Sequence, residues 1–200
     1  MAIKFQYNKT SLQELNKQLS IRLRALPTLK NKESALRVEV SRAKDEASRL
    51  DDKLHEKMAA YDEMTSLWAE FDTSLVHIDD VDLSIKKIAG VRTPVLEQIH
   101  FRINDFSLFN NPFWYMDGIS ILKELAIIAI EREFFVRKMR LLDHARKKTT
   151  QKVNLYEKVQ IPGYEEAILK IKRFLEDEEN LSKSSQKIVK NRITQMEEVA

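Results

Sequence analysis

Leu12-Gln13-Glu14-Leu15-Asn16-Lys17-Gln18-Leu19 opens a stretch, residues 12–78, that decides how the chain folds. Stepping by seven from Leu12 gives Leu12, Leu19, Leu26, Glu33, Val40, Ala47, Leu54, Tyr61, Trp68 and Leu75. Stepping by seven from Leu15 gives Leu15, Arg22, Leu29, Leu36, Ala43, Leu50, Lys57, Met64, Phe71 and Ile78. Only Glu33, Arg22 and Lys57 interrupt the apolar run. A strict seven-residue repeat keeps one helix seam turned toward a partner and specifies a left-handed coiled coil. The expected product is a rod with a mechanical or connective role.

The rest of the chain agrees. Among its 200 residues are 32% charged side chains, three glycines and four prolines, which leaves few turning points for a globular core. Cysteine is absent, so disulfide and thiolate chemistry are excluded, as suits a cytoplasmic protein. Met1 to Gln6 lacks the apolar core of a signal peptide. The longest apolar run, Ile119 to Ile130, contains Lys123 and Glu124 and falls short of the roughly twenty residues that span a bilayer. A soluble protein is expected, reaching a membrane only through partners.

The first helix is expected to begin near Thr10 or Ser11, either of which can cap it, and to end about Lys86. That makes a helix on the order of 110 Å. Pro27 lies inside it, where the missing N–H bends the early turns. A second helix runs from about Asp117 to the C-terminus, with Leu122, Leu125, Ile128, Phe135, Met139, Leu142, Val153, Tyr156, Ile168, Ile171, Leu175 and Ile188 at helical spacing. Ile161-Pro162-Gly163 should kink it or shift its register.

Between them, Ile99, Phe101 and Ile103 alternate with His100, Arg102 and Asn104. Asn104-Asp105 offers a turn before Phe106-Ser107-Leu108-Phe109, which reads as a short β-hairpin. The fold class is therefore mainly α: a long antiparallel two-helix coiled coil with a short β-hairpin insert between the helices. Its parts are an N-terminal helix over 1–87, a loop with the hairpin over 88–117 and a C-terminal helix over 118–200. Matching Lys86 to Gly118 makes facing residue numbers add up to roughly 204. Trp68 then meets Phe134 and Phe135, Met64 meets Met139, Leu36 meets Ile168, Leu29 meets Leu175, and small Ala43 and Ala47 meet Ile161, Tyr164 and Tyr156.

Charge is unevenly spread. By blocks of fifty, basic against acidic residues number 11 to 5, 5 to 11, 9 to 6 and 9 to 9, so the first quarter carries +6 and the second −6. The basic residues from Arg22 to Arg49 have no interleaved aromatic residues for base stacking, so a solvated or protein-facing helix surface is expected rather than a nucleic-acid site. His77, Asp79, Asp80 and Asp82 read better as a solvated acidic helix end than as a metal cluster. Glu176-Asp177-Glu178-Glu179 lacks the apolar surroundings that would raise a carboxyl pKa, and Arg146-Lys147-Lys148 is a basic helix surface. Phosphate-cradling glycine motifs, a nucleophile elbow and a zinc signature are missing from the sequence. No cofactor, no metal and no intrinsic active site are expected.

Two blocks carry a resemblance. Ala89-Gly90-Val91-Arg92-Thr93-Pro94-Val95-Leu96-Glu97 resembles the Ala-Gly-Val-x-x-Pro-Val-Phe-Glu stretch of the D subunit of the vacuolar/archaeal-type rotary ATPases. Thr149-Thr150-Gln151-Lys152-Val153-Asn154, followed by Glu157 and Ile161-Pro162, is similar to that family's Thr-Thr-Arg-Arg-Val-Asn-Ala-Leu-Glu and Ile-Pro block. Lys30-Asn31-Lys32-Glu33-Ser34-Ala35-Leu36 matches a Lys-x-Lys-Arg-Asp-x-Leu pattern with Glu33 and Ser34 in place of Arg and Asp. The resemblance implies a non-catalytic central-stalk rotor shaft of a V/A-type ATPase. In that family both termini insert into a ring of three A and three B catalytic subunits, and the opposite end docks, with the F subunit, on the subunit capping the membrane ring. Rotation of the shaft then links ATP hydrolysis or synthesis to hydrogen-ion or other ion transport. Ala89, Gly90, Val91, Pro94, Thr149, Thr150, Val153, Asn154 and Pro162 mark the family pattern, and Arg37, Arg42 and Lys44 are candidate contacts to the catalytic ring. A non-rotary coiled-coil adaptor or chaperone-like scaffold is the alternative.

Overall fold

The structure is a computed structural model that describes residues 3–62, 65–107 and 112–199. In chain order the elements are helix α1 (Lys9–Ala60), a short helix α2 (Thr65–Trp68), a 3₁₀ turn (Thr73–Leu75), strands β1 (Val76–Ile88) and β2 (Val91–Ile103), helix α3 (Tyr115–Leu155), a single π turn (Tyr156–Gln160) and helix α4 (Ile161–Val199). The mainly helical fold with a hairpin insert is as expected; its boundaries differ in two places. Contacts gather the chain into two units, one made of residues up to Asn31 with those from Thr149 on, the other of Lys32–Lys148.

The heptad reading holds along α1. Every seam position from Leu12 to Lys57 is buried or half-buried, with Leu15, Leu36, Ala43, Ala47 and Leu50 fully buried. The three polar interruptions each have a partner. Arg22 Nε donates to Gln160 Oε1 at 2.7 Å, and Lys57 Nζ lies 2.6 Å from Glu124. Glu33 accepts from Arg37 one turn on, at 2.8 Å.

Helix α1 stops at Ala60, not near Lys86. The chain beyond it has a stronger local preference. Val76, Ile78, Val81, Leu83, Ile85 and Ile88 are mostly β-branched and close to period two, and this run forms β1. Bulges between Ile78 and Asp80 and between Asp82 and Leu83 disturb the alternation and hide it from a simple period count. The hairpin turn is Ala89-Gly90, not Asn104-Asp105, with Ile88 paired to Val91 and Val76 to Ile103. The expected Ile99 to Ile103 strand is the end of β2, while Leu108, Phe109, Asn110 and Asn111 lie outside the described residues.

Because α1 ends early, the helices face one another in a different register. In the first unit Arg22 meets Gln160 and Lys30 meets Glu157; in the second Asp51 meets Arg132 and Lys57 meets Glu124. Facing numbers therefore add up to between 181 and 187, not 204. Leu15, not Leu36, packs with Ile168, and Leu175 joins that cluster beside Leu12. Ala43 shares a groove with Phe135, so small still sits by large, with a different partner. Trp68 packs edge-to-face with Phe71 and Trp114, and the expected Met64 contact lies outside the described residues.

Each unit has its own core. In the first, Leu15, Ala167, Ile168 and Ile171 are buried, and the residues before α1 lie on the same surface, with Ile3 and Phe5 against this cluster and Tyr7 4.9 Å from Phe174. In the second, Phe71, Leu75, Tyr115 and Ile119 form an aromatic core with Trp68, Trp114 and Phe106 around it. Tyr115 Oη donates to the Glu70 carbonyl at 2.7 Å, and Asn104 donates through its backbone to Leu75 and its side chain to Ser74. These bonds satisfy the backbone where α1 has ended and the hairpin begins.

The π turn answers the expectation of a register shift near Pro162. Two rows of buried or half-buried residues run down α3 and α4: Leu142, Thr149, Tyr156, then Tyr164 and Ile171; and Arg146, Val153, then Ile161, Ile168 and Leu175. Steps are of seven except for one of eight in each row, across Tyr156 to Tyr164 and Val153 to Ile161. The π turn absorbs that extra residue, with the Ile161 N–H donating to the Tyr156 carbonyl. Pro162 favours the arrangement, since it has no N–H to give an α-helical bond to the residue 158 carbonyl.

Candidate functional site

The family-pattern residues fall in two places. Ala89 and Gly90 have φ of 48° and 78°, the paired positive values of a two-residue type I′ turn that matches the strand twist. Gly90 accepts this conformation without strain, and a Cβ there would lie 3.5 Å from Lys32 Nζ, so the hairpin tip lies against α1. Thr93 is fully buried and its hydroxyl donates to the Lys86 carbonyl at 2.9 Å. Pro94, paired with Ile85, is tolerated because a two-stranded ribbon leaves each strand with an open edge. The Ala-Gly-Val-x-x-Pro pattern is thus turn and strand chemistry.

Thr149 and Val153 are buried on the seam, Thr150 is half-buried, and Asn154 is exposed, as is Pro162 just beyond the π turn. Glu157, also exposed, pairs with Lys30 at 2.6 Å. This block therefore encodes the seam and its phase jump.

Arg37 and Arg42 are 69% and 72% exposed, and each pairs with a carboxylate on its own helix, Glu33 at 2.8 Å and Glu39 at 3.1 Å. Lys44 is exposed beside them. Pairs of this kind contribute a few tenths of a kcal/mol each, so these cations are available for contact at small cost. A second surface is the end of α4. Every residue from Glu176 to Met196 is exposed, and Leu181, Ile188, Val189, Ile193 and Met196 recur at helical spacing among them. Soluble helices rarely leave such a row uncovered.

His77, Asp79, Asp80 and Asp82 lie on β1, not at a helix end. Asp82 pairs across the hairpin with His100 at 2.8 Å, Arg102 lies 3.6 Å from Asp79, and Asp80 accepts the Val81 N–H. The hydrogen bond to Asp82, aided by the charges of Asp80 and Asp79, raises the His100 pKa above its ordinary 6.5. Among the described residues no group of three or more His, Asp or Glu side chains is placed to hold a metal ion. Lys183 holds Glu179 below the usual carboxylate range, and Lys147 and Arg146 do the same for Asp143. These shifts favour the charged forms, the opposite of what a general acid needs.

Sequence reasoning missed β1, the Arg22 contacts and the packing of Ile3 and Phe5. β1 was signalled by its β-branched residues, and Arg22 by being a cation in an apolar row. No helix among the described residues is long and apolar enough to cross a membrane.

A family model for the D subunit of ATP synthase matches residues 11–191. The chain is 29% identical over 203 aligned positions to the V-type ATP synthase D subunit of Chlamydia muridarum, covering 99% of this chain and 100% of that protein. It is 27% identical over 203 positions to that of Chlamydia trachomatis serovar L2, with 99% and 100% covered, and 30% identical over 178 positions to that of Chlamydia abortus, with 86% of each covered. Heptad seam, hairpin tip and phase-jump block all lie inside the matched region, and the chain belongs to the ATP synthase D-subunit family.

Proposed function

We propose that this chain is the central-stalk rotor shaft of a V-type rotary ATPase, carrying torque between the A and B catalytic ring and ion translocation in the membrane. The observation that carries this reading is the exposed apolar row on α4 from Leu181 to Met196, a helix face made to be covered by another protein. The catalytic ring is its partner, and the basic face of Arg37, Arg42 and Lys44 is a second contact to the ring. The F subunit and the subunit capping the membrane ring are the remaining partners, and they bring the chain to the membrane.

The chain's own residues act by contact, not by chemistry. A single helix is only marginally stable, whereas paired helices oppose twisting along their whole packed seam. An asymmetric shaft offers each catalytic interface a different surface, and so shifts the conformational population of each in turn.

Replacing Arg37, Arg42 and Lys44 with Glu tests this in the assembled complex. ATP-driven ion pumping should fall relative to ATP hydrolysis, while the melting of the isolated chain stays within a few degrees. Pumping at the unaltered ratio would refute the assigned ring contact, and failure of the chain to co-purify with catalytic subunits would refute the shaft itself.

A further inference from the structure

Arg22 occupies a seam position of α1 where the heptad repeat calls for leucine. Its guanidinium carbon lies 4.5 Å from the centre of the Tyr164 ring and 5.9 Å from that of Tyr156. Its Nε donates to Gln160 Oε1 at 2.7 Å, and its Nη1 donates to the Gln18 carbonyl at 3.0 Å and to Gln18 Oε1 at 2.7 Å. Tyr156, Gln160 and Tyr164 are thus three successive contacts of one cation, and they bracket the π turn.

Their alignment depends on that turn. In an unbroken α-helix residues eight apart stand about 80° away from each other around the axis, at about 100° per residue. Taking one residue out of phase, as the π turn does, brings Tyr156 and Tyr164 to within about 20°. Only then can one planar guanidinium lie over one ring, approach the other and bond the amide between them.

We propose that Arg22 is a positioning residue that locks the π turn in place, and so sets the rotational phase of the residues next to it at the start of α4 relative to residues 149–155. Pro162 disfavours the regular helix through this segment, and Arg22 selects one π geometry among those that a missing N–H allows. Without the lock the extra residue is free to migrate along the helix. Every residue between its old and new positions then turns by about 100°. The lock depends on local geometry alone and holds whatever partner the end of α4 meets.

The native chain has no cysteine, so the test is clean. Spin labels at Asn16→Cys on α1 and Glu165→Cys near the start of α4, both at exposed positions of the first unit, report as a distance whether the segment just beyond the π turn has rotated. The labelled full-length chain is expected to give one distance population. Arg22→Leu, which completes the apolar seam, is expected to melt no lower yet to show a second population shifted by several ångströms, with amides 157–163 exchanging about tenfold faster. Arg22→Lys, which keeps the charge and loses the planar fork, should behave like Arg22→Leu. If Arg22→Leu does not fold, Gln160→Ala and Tyr164→Leu each remove one limb of the lock and should show the same second population. A single unchanged distance with unchanged exchange in any folded member of this set lacking the Arg22 contacts overturns the proposal.

Discussion

Leu36 and Val38 put the seam to a direct test, because both are aliphatic, two residues apart, and in the middle of α1. Leu36 is 0% exposed and Val38 is 51% exposed. Leu36→Ala removes three carbons from a closed site, worth about 2.4 kcal/mol at about 0.8 kcal/mol per carbon. The residual cavity adds to this, and a two-helix layer can partly collapse around it, which gives a total of about 3 kcal/mol. Val38→Ala removes two half-solvated carbons, about 0.8 kcal/mol, and returns about 0.6 kcal/mol because alanine is the better helix former. Its net effect should lie within about 0.5 kcal/mol of zero. Urea unfolding followed by circular dichroism at 222 nm measures both, and the slope should be unaltered for each variant. Equal losses for the two, or a loss under about 1 kcal/mol for Leu36→Ala, would refute the heptad seam as the source of helix pairing.

Pro27 stays inside a continuous helix, so Pro27→Ala should raise stability by roughly 1–3 kcal/mol, read as a higher melting temperature; unchanged melting would mean that the local backbone already compensates. His100, whose pKa is raised by its bond to Asp82 and the charges of Asp80 and Asp79, stabilises the hairpin fully below the unfolded value of 6.5. That contribution is lost as pH rises through the raised folded value. The imidazole proton resonance should therefore titrate above 6.5, and Asp82→Asn should bring the midpoint down; an identical midpoint in that variant would dismiss the pair. Asp143 runs the other way. Lys147 and Arg146 lower its pKa below 3.8, so its contribution is present above that value and is lost as pH falls through the lowered one, and Lys147→Ala should raise its carboxyl midpoint in a carbon-detected titration.

How far each element could be read from sequence follows from what produced the pattern. The α1 seam was legible because one physical cause, burial against a facing helix, generates the whole period. The end of α1 was not, because Trp68, Phe71 and Leu75 continue the count of seven while belonging to a different core around Tyr115 and Ile119. β1 was obscured by its own bulges, which put Asp79 out of step. The register error follows from that boundary, since moving the end of α1 from Lys86 to Ala60 slides every facing pair. Near Pro162 the sequence signalled a break, and the jump from steps of seven to one of eight says which kind. Among the site residues, Gly90 carried the signal for the hairpin turn, but the alternation of Ile99, Phe101 and Ile103 drew the turn to Asn104-Asp105 instead. The exposure of Arg37 and Arg42 followed from their lying off the seam.

Two of the three polar residues in the seam, Arg22 and Lys57, bear on what kind of shaft this sequence can make. An apolar row alone is permissive, because leucine packs acceptably against leucine at more than one offset. Arg22 and Lys57 remove that freedom, since each finds its partner, Gln160 or Glu124, at one offset only. Any slip breaks the bond from Lys57 to Glu124 and strips Arg22 of Gln160, leaving it only its own-helix partner Gln18, a penalty that a leucine at either position would not impose. Such residues give up packing energy and return a single register. A chain whose proposed task is to hand a rotation from one protein to another depends on that register more than on raw stability, because a slipped pair would present a different face to every partner while remaining just as helical. Arg22→Leu with Lys57→Leu should accordingly make the chain harder to melt and its facing distances less uniform.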